Sequence, residues 1–136
     1  DKKLYVETIV NNNRRLQPVI GKTQLKVGDK VVVRLTVRLD RTMDFVQLKD
    51  QRAACLEPVE VLSGYRNVGD VGCYVAVKDA STDFFFDTLN KGTYVLEYSY
   101  RVDRAGSYEA GIATIQSAYA PEYAAHSASA RYEVSQ

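Results

Sequence analysis

The chain has one histidine, His126, and two cysteines, Cys55 and Cys73. Any Ser-His-Asp or Cys-His scheme for acyl transfer must therefore use His126. Its surroundings, Ala124-Ala125-His126-Ser127-Ala128, carry no nucleophile signature, and it reads as a surface or edge-strand histidine. Cys55, Cys73 and His126 come from three distant places, without the close-spaced ligand pairs of a zinc site. Asp79-Ala80-Ser81-Thr82-Asp83 sets oxygen ligands at alternate positions, like the first half of a calcium loop. Its sixth position is Phe84 rather than Gly and its twelfth is Asn90 rather than Glu, so it reads as a polar turn before a buried strand. Gly69-Asp70-Val71-Gly72 lacks the Lys and the helix of a phosphate loop. Asp and Glu are scattered, with no pair singled out for glycoside hydrolysis. These residues assign no catalytic group, cofactor or metal, and the chain is expected not to be an enzyme.

One segment breaks the surrounding pattern: Gln116-Ser117-Ala118-Tyr119-Ala120-Pro121-Glu122-Tyr123. Pro121 cannot occupy a central ladder position. The segment reads as a fixed loop presenting Tyr119 or Tyr123 outward, either as a structural corner or as a contact loop. Tyr119, Pro121, Glu122 and Tyr123 are its candidate contact residues. Ten tyrosines and no tryptophan suit core and rim packing, because the ring buries while the hydroxyl reaches water. An aromatic platform for sugars or peptides is the other use of such a composition.

The elements that must hold these residues are strands. Val31, Val33, Leu35, Val37 and Leu39 alternate with Val32, Arg34, Thr36, Arg38 and Asp40, the period-two signature of a half-buried strand. From Thr93 to Asp103, Tyr94, Leu96, Tyr98, Tyr100 and Val102 share one face, and the stretch from Ser127 to Ser135 alternates likewise. Leu4–Ile9, Thr23–Lys26, Phe45–Lys49, Ala53–Glu57, Cys73–Lys78, Asp83–Asp87 and Tyr108–Gln116 are weaker strand candidates. Gly28-Asp29, Asn90-Lys91-Gly92 and Arg104-Ala105-Gly106 supply turns. Asn11-Asn12-Asn13-Arg14-Arg15 reads as a solvated polar loop, and Ser63 to Gly72 as a longer one. Many short strands and short turns predict an all-β, antiparallel sandwich.

The composition agrees. At 136 residues the chain has one domain's length and enough surface to bury without a metal or disulfide staple. Apolar residues make up 46%, too many for a disordered tail. Eighteen basic against 17 acidic side chains leave a net charge of +1, so no single-sign field points to nucleic acid. Apolar runs stop at three or four residues, against the roughly 20 of a helical membrane span, and no membrane insertion is expected. Two cysteines leave a disulfide and a pair of buried thiols both open. Residues 1–136 read as one domain. The start, Asp1-Lys2-Lys3-Leu4, has neither an initiator Met nor a secretion leader, as expected of a fragment of a longer chain or a mature product.

Four stretches in order carry a family resemblance. They are Leu25-Lys26-Val27-Gly28-Asp29 running on to Leu35; Asp44-Phe45-Val46-Gln47-Leu48-Lys49-Asp50 followed by Glu57-Pro58-Val59; Phe84-Phe85-Phe86-Asp87 with Leu89 and Lys91-Gly92-Thr93-Tyr94; and Ala118-Tyr119-Ala120-Pro121-Glu122. Over roughly residues 23 to 135, the chain resembles the C-terminal macroglobulin-like domain of bacterial alpha-2-macroglobulin family proteins. The resemblance implies a macroglobulin- or fibronectin-III-like antiparallel sandwich of seven to nine strands. It also implies a very large cell-envelope parent, periplasmic or at the surface and lipid-anchored through a distant N-terminus, that cages proteases after bait cleavage.

Covalent members of that family carry a Cys-x-Glu-Gln thioester in a separate domain. Here Cys55-Leu56-Glu57-Pro58 has Pro58 where Gln is required, so this chain cannot trap a protease covalently by itself. In thioester-bearing relatives the loop before the last strand lies over the thioester and keeps water away. Tyr119 matches the Tyr of that loop, and Ala118 stands where relatives often carry Met, so part of the apolar cover is missing. The partners implied are other domains of the same parent and, through it, target proteases. The competing reading is a free-standing cell-surface adhesion or ligand-binding sandwich that uses exposed Tyr.

Overall fold

A computed structural model describes residues 1–19, 24–59, 63–68, 71–117, 124–128 and 130–135. The strands are β1 (Lys2–Val10), β2 (Asn13–Pro18), β3 (Gln24–Lys26), β4 (Lys30–Leu39), β5 (Met43–Gln51), β6 (Leu56–Pro58) and β7 (Gly64–Val68). They continue with β8 (Val71–Val77), β9 (Ser81–Leu89), β10 (Gly92–Val102), β11 (Gly106–Ala110), β12 (Ala113–Ser117), β13 (Ala124–His126) and β14 (Ala130–Ser135). One layer is a five-stranded sheet in the order β2-β1-β4-β10-β6, and the other a six-stranded sheet in the order β13-β12-β5-β9-β8-β7. A smaller sheet, β11-β14-β3, contains the parallel pair β14–β3; the other strand pairs described are antiparallel. The all-β antiparallel sandwich is as the alternation predicts, and its strand segments are more numerous than seven to nine.

The alternation sets the core. Val31, Val33, Leu35 and Val37 of β4 and Leu96, Tyr100 and Val102 of β10 are buried in one cluster with Val46 and Leu48 of β5 and Phe84 and Phe86 of β9. Ring and branched side chains on facing sheets thus exclude water, at roughly 25 cal/mol per Å² of apolar surface removed. Val32 departs from the pattern. It lies on the outward face yet is fully buried, in mid-sheet between its cross-strand neighbours Tyr5 and Ser99. Arg34 lies 5.0 Å over the Tyr5 ring on that face, so long outward side chains roof the central strand.

Two stretches read as loops are hairpins. Asn11 and Asn12 have φ of 52° and 64°, the positive pair a tight two-residue turn requires, and Asn13–Pro18 then pairs along β1. Asn reaches this conformation more readily than other non-Gly residues, so the asparagines mark the turn and the strand starts at Asn13. Gly64–Val68 pairs with β8 from Gly64↔Val75 to Val68↔Val71. This edge strand carries Tyr65 outward and only Val68 fully inward, too little hydrophobicity for the alternation to register.

The predicted strand Tyr108–Gln116 is cut at Gly111. A Cβ there would stand 2.2 Å from the carbonyl oxygen of Gln51, so only glycine lets the chain cross the end of β5. The crossing is tied by the amide of Gln51, which donates to Ile112 O at 3.1 Å.

Candidate functional site

His126 closes the short edge strand β13, opposite Thr114, and is exposed, with its Nδ1 3.1 Å from Ser127 O. Cys55 and Cys73 are both buried free thiols. Burial pushes the Cys73 thiol up to about 11 and raises that of Cys55. A thiol held protonated is a poor nucleophile and a poor metal ligand. Asp83 sits inside β9 rather than in a loop, fully buried, with Lys78 Nζ at 2.8 Å from one carboxylate oxygen. Cys73, Asp83 and His126 lie on different strands, β8, β9 and β13, and Cys55 lies in the turn before β6. Among the described residues no three His, Cys, Asp or Glu side chains stand close enough to hold a metal ion. Among the described residues no helix is long and apolar enough to cross a membrane.

The stretch Cys55-Leu56-Glu57-Pro58 lies along β10, with Leu56 opposite Val102 and Pro58 opposite Tyr100. Cys55 O accepts the Asp103 amide at 2.8 Å, and a hydrogen bond with Asp103 raises the Glu57 carboxyl above its usual range. These contacts serve the sheet edge.

Tyr119, Pro121, Glu122 and Tyr123 lie outside the described residues. Their flanks are described. Gln116 of β12 stands opposite Ala124 of β13, at the far edge of the six-stranded sheet. Ser117 is buried, and its hydroxyl donates to Asp44 O at 2.9 Å. The segment thus leaves from and returns to one sheet edge with a fixed attachment on its near side.

Between the two layers the structure holds a charged cluster that no sequence motif announces. Lys2, at the start of β1, reaches across to Asp50 at the end of β5. Its Nζ donates to Asp50 Oδ1 at 2.6 Å, to Gly111 O at 2.8 Å and to Gln51 O at 3.0 Å. All three ammonium protons find acceptors, which is the condition for keeping a lysine buried. Asp50 is fully buried; Tyr98 donates to its Oδ2, and the Tyr100 hydroxyl is 3.4 Å from the same oxygen. Tyr100 and Thr82 share a hydrogen bond of 2.9 Å, and Arg52 donates to Thr82 Oγ1 at 3.1 Å.

Burial raises the Asp50 carboxyl above its usual range, against the pull of Lys2. Tyr98 and Tyr100 are pushed up by burial and then by the Asp50 charge. Those hydroxyls stay protonated and act as donors. The cluster cross-links the layers through β1, β5, β9 and β10, and its groups are saturated by one another, which suits a fastening rather than a reaction.

The tyrosines divide by position. Tyr100 is buried, and Tyr94, Tyr98 and Tyr108 pack half-buried against the core. Tyr65 and Tyr74 are exposed on the outer face of the six-stranded sheet.

The sequence profile of the bacterial alpha-2-macroglobulin MG10 domain matches residues 2–122. No curated protein matches the chain. Among solved structures, Salmonella alpha-2-macroglobulin reacted with methylamine is similar to it with a TM-score of 0.76 at 20% identity, over 100% of this chain and 9% of that one. An Escherichia coli alpha-2-macroglobulin fragment from domain MG7 to the C-terminus is similar with a TM-score of 0.71 at 15% identity, over 100% of this chain and 23% of the fragment. Escherichia coli alpha-2-macroglobulin activated by porcine elastase gives a TM-score of 0.73 at 15% identity, over 99% of this chain and 13% of that one. The chain thus spans less than a quarter of the length of each. With the profile running through nearly all of the strands described above, this chain belongs to the bacterial alpha-2-macroglobulin MG10 domain family.

Proposed function

We propose that residues 1–136 are a single noncatalytic domain of a much longer, envelope-located protease inhibitor of the alpha-2-macroglobulin type. In this reading the domain contacts neighbouring domains of the same chain, and target proteases meet it only through that parent. The observation that carries the reading is the MG10 profile over residues 2–122, on a sandwich that fits within far longer chains. The segment between β12 and β13 is the contact element, with Tyr119 as its anchor. A rigid aromatic laid over an activated acyl group excludes water at low entropic cost. Buried thiols and a saturated polar cluster support a passive role for the rest of the domain.

The test is Tyr119→Ala in the intact parent. Uptake of a small amine by the parent should quicken by at least about tenfold, equivalent to roughly 1.4 kcal/mol of lost shielding. The melting temperature should shift by less than about 2 °C, as for a change outside the core. An uptake rate equal to that of the unsubstituted parent overturns the covering role.

A further inference from the structure

β5 and β9 turn over together at one point. Val46 of β5 and Phe86 of β9 stand opposite each other and are both buried. Three residues along each strand, Met43 and Leu89 again stand opposite each other, and both reach the core. In a regular strand, residues three apart point to opposite faces. The register does not slip, since Asp44↔Thr88 and Val46↔Phe86 belong to one continuous pairing. The turn-over sits at Phe45, which is held at φ 51°, a conformation bulky residues rarely take inside a strand.

β12 meets β5 at the same point. Just past β5 the Arg52 amide donates to Ala80 O, and at its end the Gln51 amide donates to Ile112 O. Backbone groups alternate sides along a strand, so even-numbered residues of β5 bond toward β9 and odd-numbered ones toward β12. Asp44 is even-numbered, yet its carbonyl accepts the hydroxyl of Ser117 from β12 at 2.9 Å. Its side chain stays with β9, where the Thr88 hydroxyl donates to Oδ1 at 2.9 Å. The Asp44 carbonyl is therefore reversed, and it is capped at Ser117↔Val46, the last described pair of the β12–β5 ladder. Ser117 itself is only 3% exposed.

We infer that Ser117 is a positioning residue: by capping the reversed Asp44 carbonyl it fixes where the segment carrying Tyr119 leaves the sheet. The inference rests on the proposed function, in which Tyr119 is the contact anchor, and names the group that holds the anchor's root. Tyr119 follows Ser117 by two residues, a backbone reach of at most about 7 Å. A strained backbone persists where its surroundings hold it. Here Ser117 and Thr88 hold Asp44 from the strands on either side. Asp44 is exposed, so without the Ser117 hydroxyl its carbonyl can turn to water. Loss of that one bond then loosens the root of the segment and leaves the fold in place.

Hydroxyl-radical labelling of the intact parent tests this, each rate being normalised to that of the urea-unfolded parent. Tyr119 should be protected at least about fivefold, as a side chain packed in an interdomain contact is. With Ser117→Ala its labelling should rise at least about threefold, and with Ser117→Thr, which keeps the hydroxyl, it should stay within about twofold of the unsubstituted parent. Leu25, buried on β3 in the smaller sheet, should keep its protection in all three proteins. Unchanged labelling of Tyr119 in Ser117→Ala overturns the positioning role and leaves the contact reading standing. A rise at Tyr119 matched by an equal rise at Leu25 marks general loosening and overturns the role too, as does a rise that Ser117→Thr shares. Tyr119 as reactive in the native parent as in urea overturns the contact reading and this inference with it.

Discussion

At the scale of single residues, the two layers are fastened by Lys2 and Asp50. Each is of a type rarely buried, and each is kept by its hydrogen bonds to the other and to β5, β10 and the Gly111 crossing. Removing one partner leaves a buried charge. Lys2→Met should cost about 3–5 kcal/mol in urea unfolding, and the double change Lys2→Met with Asp50→Leu should recover most of it. The pH dependence has a defined sign. Burial already raises the Asp50 carboxyl, and losing Lys2 raises it further, so above the unfolded value of 3.8 the folded state holds the extra proton. Stability then falls as pH rises through that window, and the cost of Lys2→Met should shrink as pH is lowered from neutral toward the unfolded value. Equal costs for the single and double variants would show that the pair is not coupled. The sequence kept this pair hidden, because a lysine at the second position looks like any exposed lysine until topology brings β1 beside β5.

At the scale of elements, Gly111 and β2 show what periodicity could and could not carry. Gly111→Ala would push a Cβ into the Gln51 carbonyl, which is backbone and cannot step aside. A loss of about 3 kcal/mol is expected, with a matching fall in melting temperature. β2 is the opposite case: an edge strand with almost no buried surface, held by charge. Arg14 pairs with Glu7 and, at 2.7 Å, with Glu97, and Lys30 reaches Glu7 at 2.9 Å. Hydrogen bonds from Lys30 and Arg14 pull Glu7 below its usual 4.5, and Arg14 pulls Glu97 down in the same way. Both carboxylates are lowered on folding, so their contribution is present above the unfolded value and fades as pH falls through the folded one. Arg14→Gln should therefore cost up to about 1 kcal/mol near neutral pH, and the cost should fade as pH falls below the unfolded value of 4.5. A cost unchanged by acid would remove the carboxylates from the account. The strong alternation of β4 and β10 made the core legible from sequence. Strands such as β2 and β7, whose partners are charge or an edge, had no alternating signal to read.

At the scale of the whole molecule, the fold and family were legible because four short motifs follow in order, three of them on strands whose hydrophobic period is clear. The profile over residues 2–122 agrees. The candidate contact residues Tyr119, Pro121, Glu122 and Tyr123 lie outside the described residues, and only the flanks at Ser117 and Ala124 are placed. The exposed rings of Tyr65, Tyr74 and Phe85 escaped reading because they sit on three strands and are brought together only by register. The polar cluster of Lys2, Asp50, Tyr98 and Tyr100 ties the two layers together.

The most direct test is amide hydrogen exchange across residues 117–124, in the intact parent before and after protease treatment. If the domain is a docking piece, exchange there is slowed in the native parent by at least about tenfold relative to the protease-treated form, a protection of roughly 1.4 kcal/mol. Equal exchange in the two forms would contradict a docking role for this side of the domain.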